Sequence, residues 1–228
     1  MFIGHFAVGF AAKRIAPRAS LAPLLAAPLL ADLLWPVFLL LGIEQVSVNP
    51  PGGNPFLALR FTSYPWSHSL LMSVVWGVLF GGAYYAVTRY GRGAWVVALA
   101  VVSHWVLDYV THIPDLPIAP GGGPVLGLSL WRWPAATLTI ELSMFAVGVW
   151  LYASGTTARD RIGRFGWWAF VAICLASYAA SLVSPPPPGV TALGWTAIGG
   201  SIITLWLAWW TGRHRTGREQ RAQSRGLA

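Results

Sequence analysis

Charge is what this chain has least of. Only 10% of its 228 residues are Asp, Glu, Lys or Arg, against about 25% in a soluble domain. With 56% hydrophobic residues and a mean hydropathy of +0.59, the shortage argues against a water-soluble globule and for an integral membrane protein. Cysteine is nearly absent: Cys174 stands alone, which excludes an intrachain disulfide and any cysteine-based zinc cluster. Basic residues are missing ahead of the first apolar segment, Phe2 to Ala12, and no small-residue cleavage site follows it. That segment therefore reads as a retained membrane helix, tilted or re-entrant, rather than a signal peptide. No internal repeat is visible, and the two halves show no matching pair of interrupted helices of the kind many transporters carry.

What is present is a series of apolar runs near the roughly 20 residues that cross a bilayer core. They fall at 20–42, 66–88, 94–112, 134–154, 165–183 and 191–211. The expected fold is all-α, a polytopic helical bundle of six spans plus the short N-terminal helix. One domain covers 1–211, with a basic, flexible tail over 212–228. Fourteen tryptophans suit the two bilayer interfaces. Proline and glycine gather in the connections at 43–65, 113–133 and 184–190, as in Pro120-Gly121-Gly122-Gly123-Pro124.

The net charge of +8 resembles that of a nucleic-acid protein until the positions are read. Lys13, Arg14, Arg18, Arg89, Arg92, Arg159, Arg161, Arg164, Arg213, Arg215, Arg218, Arg221 and Arg225 fall on one set of alternate connections. Only Arg60 and Arg132 fall on the other. Thirteen against two is a positive-inside signal that puts the first set and the tail in the cytoplasm. The tail then serves as an anchor against anionic headgroups, and no nucleic-acid partner is expected.

Ionisable side chains inside spans are costly and mark function or paired structure. Here they are His5, Asp32, His68, His104, Asp108, His112 and Glu141. At 1.5 Å per residue, Asp108 lies about 6 Å, His104 about 12 Å and Asp32 about 15 Å below the outer surface. The shared outer depth is the signal. His104, Asp108 and His112 follow at i, i+4 and i+8 on one helix face, and His with a carboxylate four residues on can grip one metal. His104 and His112 are about 12 Å apart along the axis, so either the site holds two metals or His112 handles protons or substrate. Taken alone, Ser67-His68-Ser69 reads as a helix cap with a solvated histidine. Glu141 fits a second carboxylate ligand, a general base or a hydrogen-bonded glutamic acid. Glu44 and Asp115 read as solvated loop residues, His214 as an uninvolved tail residue, and the Trp and Phe residues as lipid belt or packing. Histidine and carboxylate donors without thiolate suit Zn, then Mn or Fe.

His5 near the start, Asp32 in the next helix, Ser67-His68-Ser69 and His104-x-x-x-Asp108 resemble, as an ordered set, the bacterial YdjM-type membrane-bound metal-dependent hydrolases. The resemblance covers residues 1 to 112. Tyr64-Pro65-Trp66-Ser67-His68-Ser69 stands where that family more often has a basic, glycine-containing stretch ending in Thr-His-Ser. The order is also similar to the zinc-dependent phospholipase C group. These likenesses imply His5, Asp32, His68, His104 and Asp108 as metal ligands, with His112 a further candidate ligand and Glu141 a candidate late carboxylate ligand; on the residues themselves, Glu141 or His112 is expected to handle protons. They also imply hydrolysis of a lipid or lipid-linked phosphoester at an outward-facing site in the bacterial inner membrane. The alternative expectation is a transporter or channel that uses the same cluster as an ion or proton site.

Overall fold

A computed structural model describes residues 1–50, 52–185 and 187–218. The chain is mostly helical: α1 (Ile3–Ile15), α2 (Leu21–Ala26), α3 (Leu30–Leu40), α4 (Pro65–His68), α5 (Leu70–Thr88), α6 (Gly91–Thr111), α7 (Pro134–Gly155), α8 (Arg161–Val183) and α9 (Val190–Arg213). Among the described residues, three antiparallel two-stranded ribbons form in connections and a tail that the expected all-α fold left as loops. They pair β1 (Gln45–Val48) with β2 (Leu59–Ser63), β3 (Leu116–Pro117) with β4 (Val125–Leu126), and β5 (Thr156–Ala158) with β6 (Arg215–Gly217).

Five helices, α5 to α9, are long and apolar enough to cross a membrane, and they mark a membrane-embedded protein. Their outer faces carry Val78, Trp95, Trp150, Trp168 and Trp206, all exposed, a surface that suits lipid and not water. The run expected as a first span at 20–42 is broken instead into α2 and α3. Pro28 has no N–H to continue the ladder of α2, and the chain turns tightly there, with Leu30 N–H donating to the Ala27 carbonyl at 3.2 Å. Pro36, by contrast, lies inside α3, which continues through it.

The short α1 occupies the centre. Ile3, Phe6 and Phe10 pack with Leu21 and Leu25 of α2, Phe145 of α7 and Trp167 and Phe170 of α8. Its approach to α7 depends on a missing side chain: a Cβ on Gly148 would sit 2.6 Å from Ala7 Cα. Direction follows from paired contacts. His5 begins α1 and Glu141 lies in the early turns of α7, where Glu141 reaches the start of α1. Arg14 ends α1 beside Ser154, which ends α7, at 2.9 Å. The two helices are parallel, and α6 runs against them, from Tyr90 beneath Arg18 to Asp108 beside His5. Arg14, Arg18 and the start of α6 therefore lie at one end of the bundle, and His5, Asp108 and Glu141 at the other.

At the arginine-rich end β6 is fastened to β5. Arg215 Nε donates to Thr156 Oγ1 at 2.9 Å, Arg159 bonds to Thr216, and His214 Nδ1 lies 2.6 Å from Asp160 Oδ2. The tail residues 213 to 218 are thus tied down, and His214, read from sequence as uninvolved, is part of the tie. The rest of the expected flexible tail, 219–228, lies outside the described residues. The Gly163 N–H and His214 hold the Asp160 carboxyl below its ordinary value of 3.8. A depressed carboxyl stabilises the fold above that value and loses its contribution as pH falls through and below it. Protection of the 215–217 amides, corrected for intrinsic exchange, should fall across that acid range in the wild type and not in Asp160→Asn. Gly148→Val should destabilise the protein by about 1–3 kcal/mol through overpacking, read as a lowered unfolding midpoint in detergent. Gly82→Ala, which meets open space, is the control.

Candidate metal centre

Four elements converge on Asp108. α6 supplies His104 and Asp108 one turn apart, with Nε2 3.0 Å from Oδ2. α1 brings His5, whose Nε2 lies 3.1 Å from Asp108 Oδ1. α4 brings His68, 4.0 Å from Asp108 Oδ2 and 3.5 Å from Asp32 Oδ1 of α3. The amino group of Met1 also pairs with Asp108. Two sets of donor atoms, His5/Asp32/His104 and His68/His104/Asp108, each lie within 4.8 Å of one another. Every one of these side chains is buried except Asp32, which is 41% exposed and so forms the open side of the cluster. All five sequence-expected ligands are brought together.

The tautomers follow from the partners. The Pro28 carbonyl can only accept, so His104 Nδ1, 2.7 Å away, carries the proton and Nε2 bears the lone pair. Ser67 spends its one hydroxyl proton on Glu44 Oε2 at 2.6 Å, so at 2.7 Å it accepts from His68 Nδ1. Asp115 Oδ1 accepts from His112 Nδ1 at 2.9 Å. In neutral form, all three rings thus turn an unprotonated Nε2 toward the Asp108 carboxylate, and those of His68 and His104 toward Asp32 as well. His104 Nε2 is buried there without a hydrogen-bond partner. Lone pairs facing carboxylate oxygens repel unless a proton or a cation lies between them. The donor set, with imidazole and carboxylate and no thiolate, fits a divalent metal such as zinc, and the outer hydrogen bonds are those that orient metal-bound histidines.

His112 stands apart. It is the C-cap of α6, where ψ of 149° turns the chain out of the helix. Its Nε2 folds back to 3.7 Å from Asp108 Oδ2, yet it belongs to neither donor set. Trp131 packs on its ring at a centroid distance of 4.1 Å, and Phe61 and Tyr64 close the other sides. Glu141 Oε2 accepts from Phe2 N–H at 2.9 Å and Gly4 N–H at 3.3 Å. It thereby satisfies the free donors at the start of α1 and sets the entry of His5; its Oε1 is buried without a partner.

Several expectations are corrected. Glu44 is buried, not solvated: it accepts from Trp66 N–H, Ser67 N–H and the Ser67 hydroxyl. Asp115 is bound to His112 and to the Tyr64 hydroxyl at 3.0 Å, and burial and Asp115 together push the Tyr64 phenol above its usual value, keeping it a donor. Ser69, not Ser67, caps α5, accepting from Met72 N–H at 3.3 Å, while Ser67 orients His68. Trp131 and Phe61 pack on a site histidine instead of serving only as belt or filler. Sequence reading missed Glu44, Tyr64, Asp115 and the Pro28 carbonyl as partners of the cluster. Pro28 alone left a local signal, as a helix breaker next to an in-span carboxylate.

Comparison with protein-family models, with curated proteins and with solved structures finds no match to this chain.

Glu44→Ala strands two N–H groups and a hydroxyl in a buried site. Leaving such donors unpaired costs about 1–3 kcal/mol each, so the unfolding midpoint should drop and the Trp66 and Ser67 amides should lose exchange protection before those of α6. Glu44→Gln, which keeps one acceptor oxygen, should fall between the two.

Proposed function

We propose that this protein is a membrane-embedded, metal-dependent hydrolase acting on a lipid or lipid-linked phosphoester. The observation that carries the reading is the common aim of three histidines. His68, His104 and His112 each spend Nδ1 on a different acceptor and leave Nε2 within 4.0 Å of one carboxylate oxygen, Asp108 Oδ2. Histidines that merely tie helices together have no reason to share that arrangement.

In this reading Asp32, His68, His104 and Asp108 hold the ion, and His5 completes the shell. Zinc is the leading choice, with manganese or iron as the other candidates. When bound, such an ion lowers the pKa of a coordinated water toward about 7 and polarises a phosphoryl oxygen. His112, anchored through Nδ1 by Asp115, moves a proton at Nε2 beside the cluster. Glu141 fixes the start of α1 and hence the position of His5. The exposed edge at Asp32 is where a substrate enters, and the shell of apolar residues keeps bulk water from the buried donors.

The same proposal includes topology. α1 and the broken α2–α3 segment lie within the membrane beside the five long spans, giving six spans plus a short helix. The arginine-rich end faces the cytoplasm and the histidine cluster faces outward across the bacterial inner membrane. Backbone breaks at membrane depth are tolerated where protein surrounds them, as at Pro28.

Elemental analysis of purified protein tests the reading. Wild type should retain a divalent metal that His104→Ala and Asp108→Ala lose, and Ser67→Ala should weaken affinity about 10–100-fold by freeing the His68 ring. Bis(p-nitrophenyl) phosphate hydrolysis should stop on chelation and return with added zinc. Unchanged metal content in both ligand variants would overturn the proposal. Metal-dependent flux in proteoliposomes without hydrolysis would favour the transporter reading.

A further inference from the structure

The arginine-rich end holds a second feature, independent of the histidine cluster. A hollow of about 500 Å³ opens between α2 and the α5–α6 pair, lined by Arg18, Ser20, Phe80, Ala83, Val87 and Tyr90 among others. That volume lies within the range of about 300–1,000 Å³ typical of small-molecule sites. Its two sides differ in chemistry. Phe80, Ala83 and Val87 supply an apolar side along the last turns of α5, whereas Arg18 and Ser20, both exposed, supply a polar side that serves as its mouth.

The cation at the mouth is held in place and lacks a counter-ion. The Arg18 guanidinium lies 4.8 Å above the Tyr90 ring, and among the described residues it forms no ion pair with a carboxylate. The Ser20 hydroxyl makes no capping bond to α2. The Tyr90 ring is itself wedged: a Cβ at Gly93 would lie 2.8 Å from Tyr84 Cε1 and within 3 Å of Tyr90 Cε1, so only glycine lets both rings lie over the start of α6. Stacking thus preforms the polar mouth. The surrounding charge is one-sided, because among the described residues Asp160 is the only acid at this end, against Lys13, Arg14, Arg18, Arg89, Arg92 and the arginines of 159–218.

We propose that this hollow binds one anionic glycerophospholipid, with the headgroup phosphate on Arg18 and Ser20 and an acyl chain along Phe80, Ala83 and Val87. A basic mouth joined to an apolar trough at the level of the helix ends matches both halves of such a molecule. A basic pocket between transmembrane helices is also a recurrent form of headgroup site. A phosphate ion alone would leave the trough unused, and a zwitterionic lipid would bring a second positive charge to Arg18.

The test uses the full chain purified in neutral detergent and titrated with short-chain phosphatidylglycerol, short-chain phosphatidylcholine or inorganic phosphate while the unfolding midpoint is followed. Phosphatidylglycerol should raise the midpoint and the other two should not. Arg18→Gln should weaken the response about fivefold, the worth of one arginine near a headgroup. Ala83→Trp, filling the trough, should abolish it, and Arg164→Gln, basic but outside the hollow, should leave it intact. Circular dichroism confirms that each variant is folded before titration. An equal response in Arg18→Gln, or in phosphatidylcholine, would overturn the proposal. So would an equal shift with inorganic phosphate, which would assign a plain anion site, or an equal loss in Arg164→Gln, which would assign diffuse charge.

Discussion

The buried carboxylate of Asp108 organises this protein. An anion taken from water into an apolar bundle costs several kcal/mol unless charges and hydrogen bonds surround it. Here the Met1 amino group and His5 Nε2 meet Oδ1, while the Nε2 atoms of His68, His104 and His112 gather at Oδ2, where a proton or cation between them and the oxygen completes the balance. They come from the start of α1, from α4 and from α6 itself, so the position of each segment relative to α6 is tied to one side chain. The apolar packing of α1 against α7 and α2 would permit some sliding. The requirement that His5 Nε2 meet Asp108 Oδ1 does not.

An outer layer then decides what the inner layer presents. Glu44 reaches His68 through Ser67, Asp115 reaches His112, and a backbone carbonyl reaches His104. The three acceptors differ in kind, a carboxylate by way of a hydroxyl, a carboxylate directly and an amide oxygen, yet the result for each ring is the same. Fixing Nδ1–H in this way costs nothing at the moment a ligand arrives, because the rings are already oriented. The β1–β2 ribbon has a matching structural task. It separates Glu44 from Ser67 by a long excursion and returns the chain so that the carboxylate meets the start of α4, with Val46 packed beside Tyr64, Trp35 and Trp105.

The legibility of the sequence follows the range of the interactions. The long helices could be read because each is one continuous apolar run between breakers, and the arginines marked their ends. The cluster itself could be read because ionisable residues at membrane depth are few, and His104 and Asp108 share a helix face by spacing alone. Glu44 and Asp115 could not. Both lie in connections full of proline and glycine, where solvation is the ordinary fate of a carboxylate, and the burial of Glu44 and the pairing of Asp115 depend on how the ribbons fold back. Ser67 looked like a cap because the true cap, Ser69, is two residues on, and α4 is too short to leave a periodic signal. The break inside the run at 20–42 went unread for a related reason. Hydropathy is blind to a break between apolar residues, and Pro23, Pro28 and Pro36 offered three places for one.

That break joins the fold to the site. A helix running straight from Leu21 to Leu40 would have spent the Pro28 carbonyl on its own ladder. Breaking at Pro28 leaves the carbonyl without an intrahelical donor in a buried place, where an unpaired acceptor is expensive. His104 Nδ1 supplies the donor at 2.7 Å, so the same bond that repairs the backbone fixes the tautomer of the ring. The turn also restarts the helix with a new phase, and Asp32, in the first turn of α3, comes to lie 3.5 Å from His68 and 4.0 Å from His104. An unbroken helix over this run would be long enough to cross a membrane, as α2 and α3 singly are not. The shorter, broken version serves the cluster, and the energetic cost of the break is offset by a bond that the cluster needs in any case.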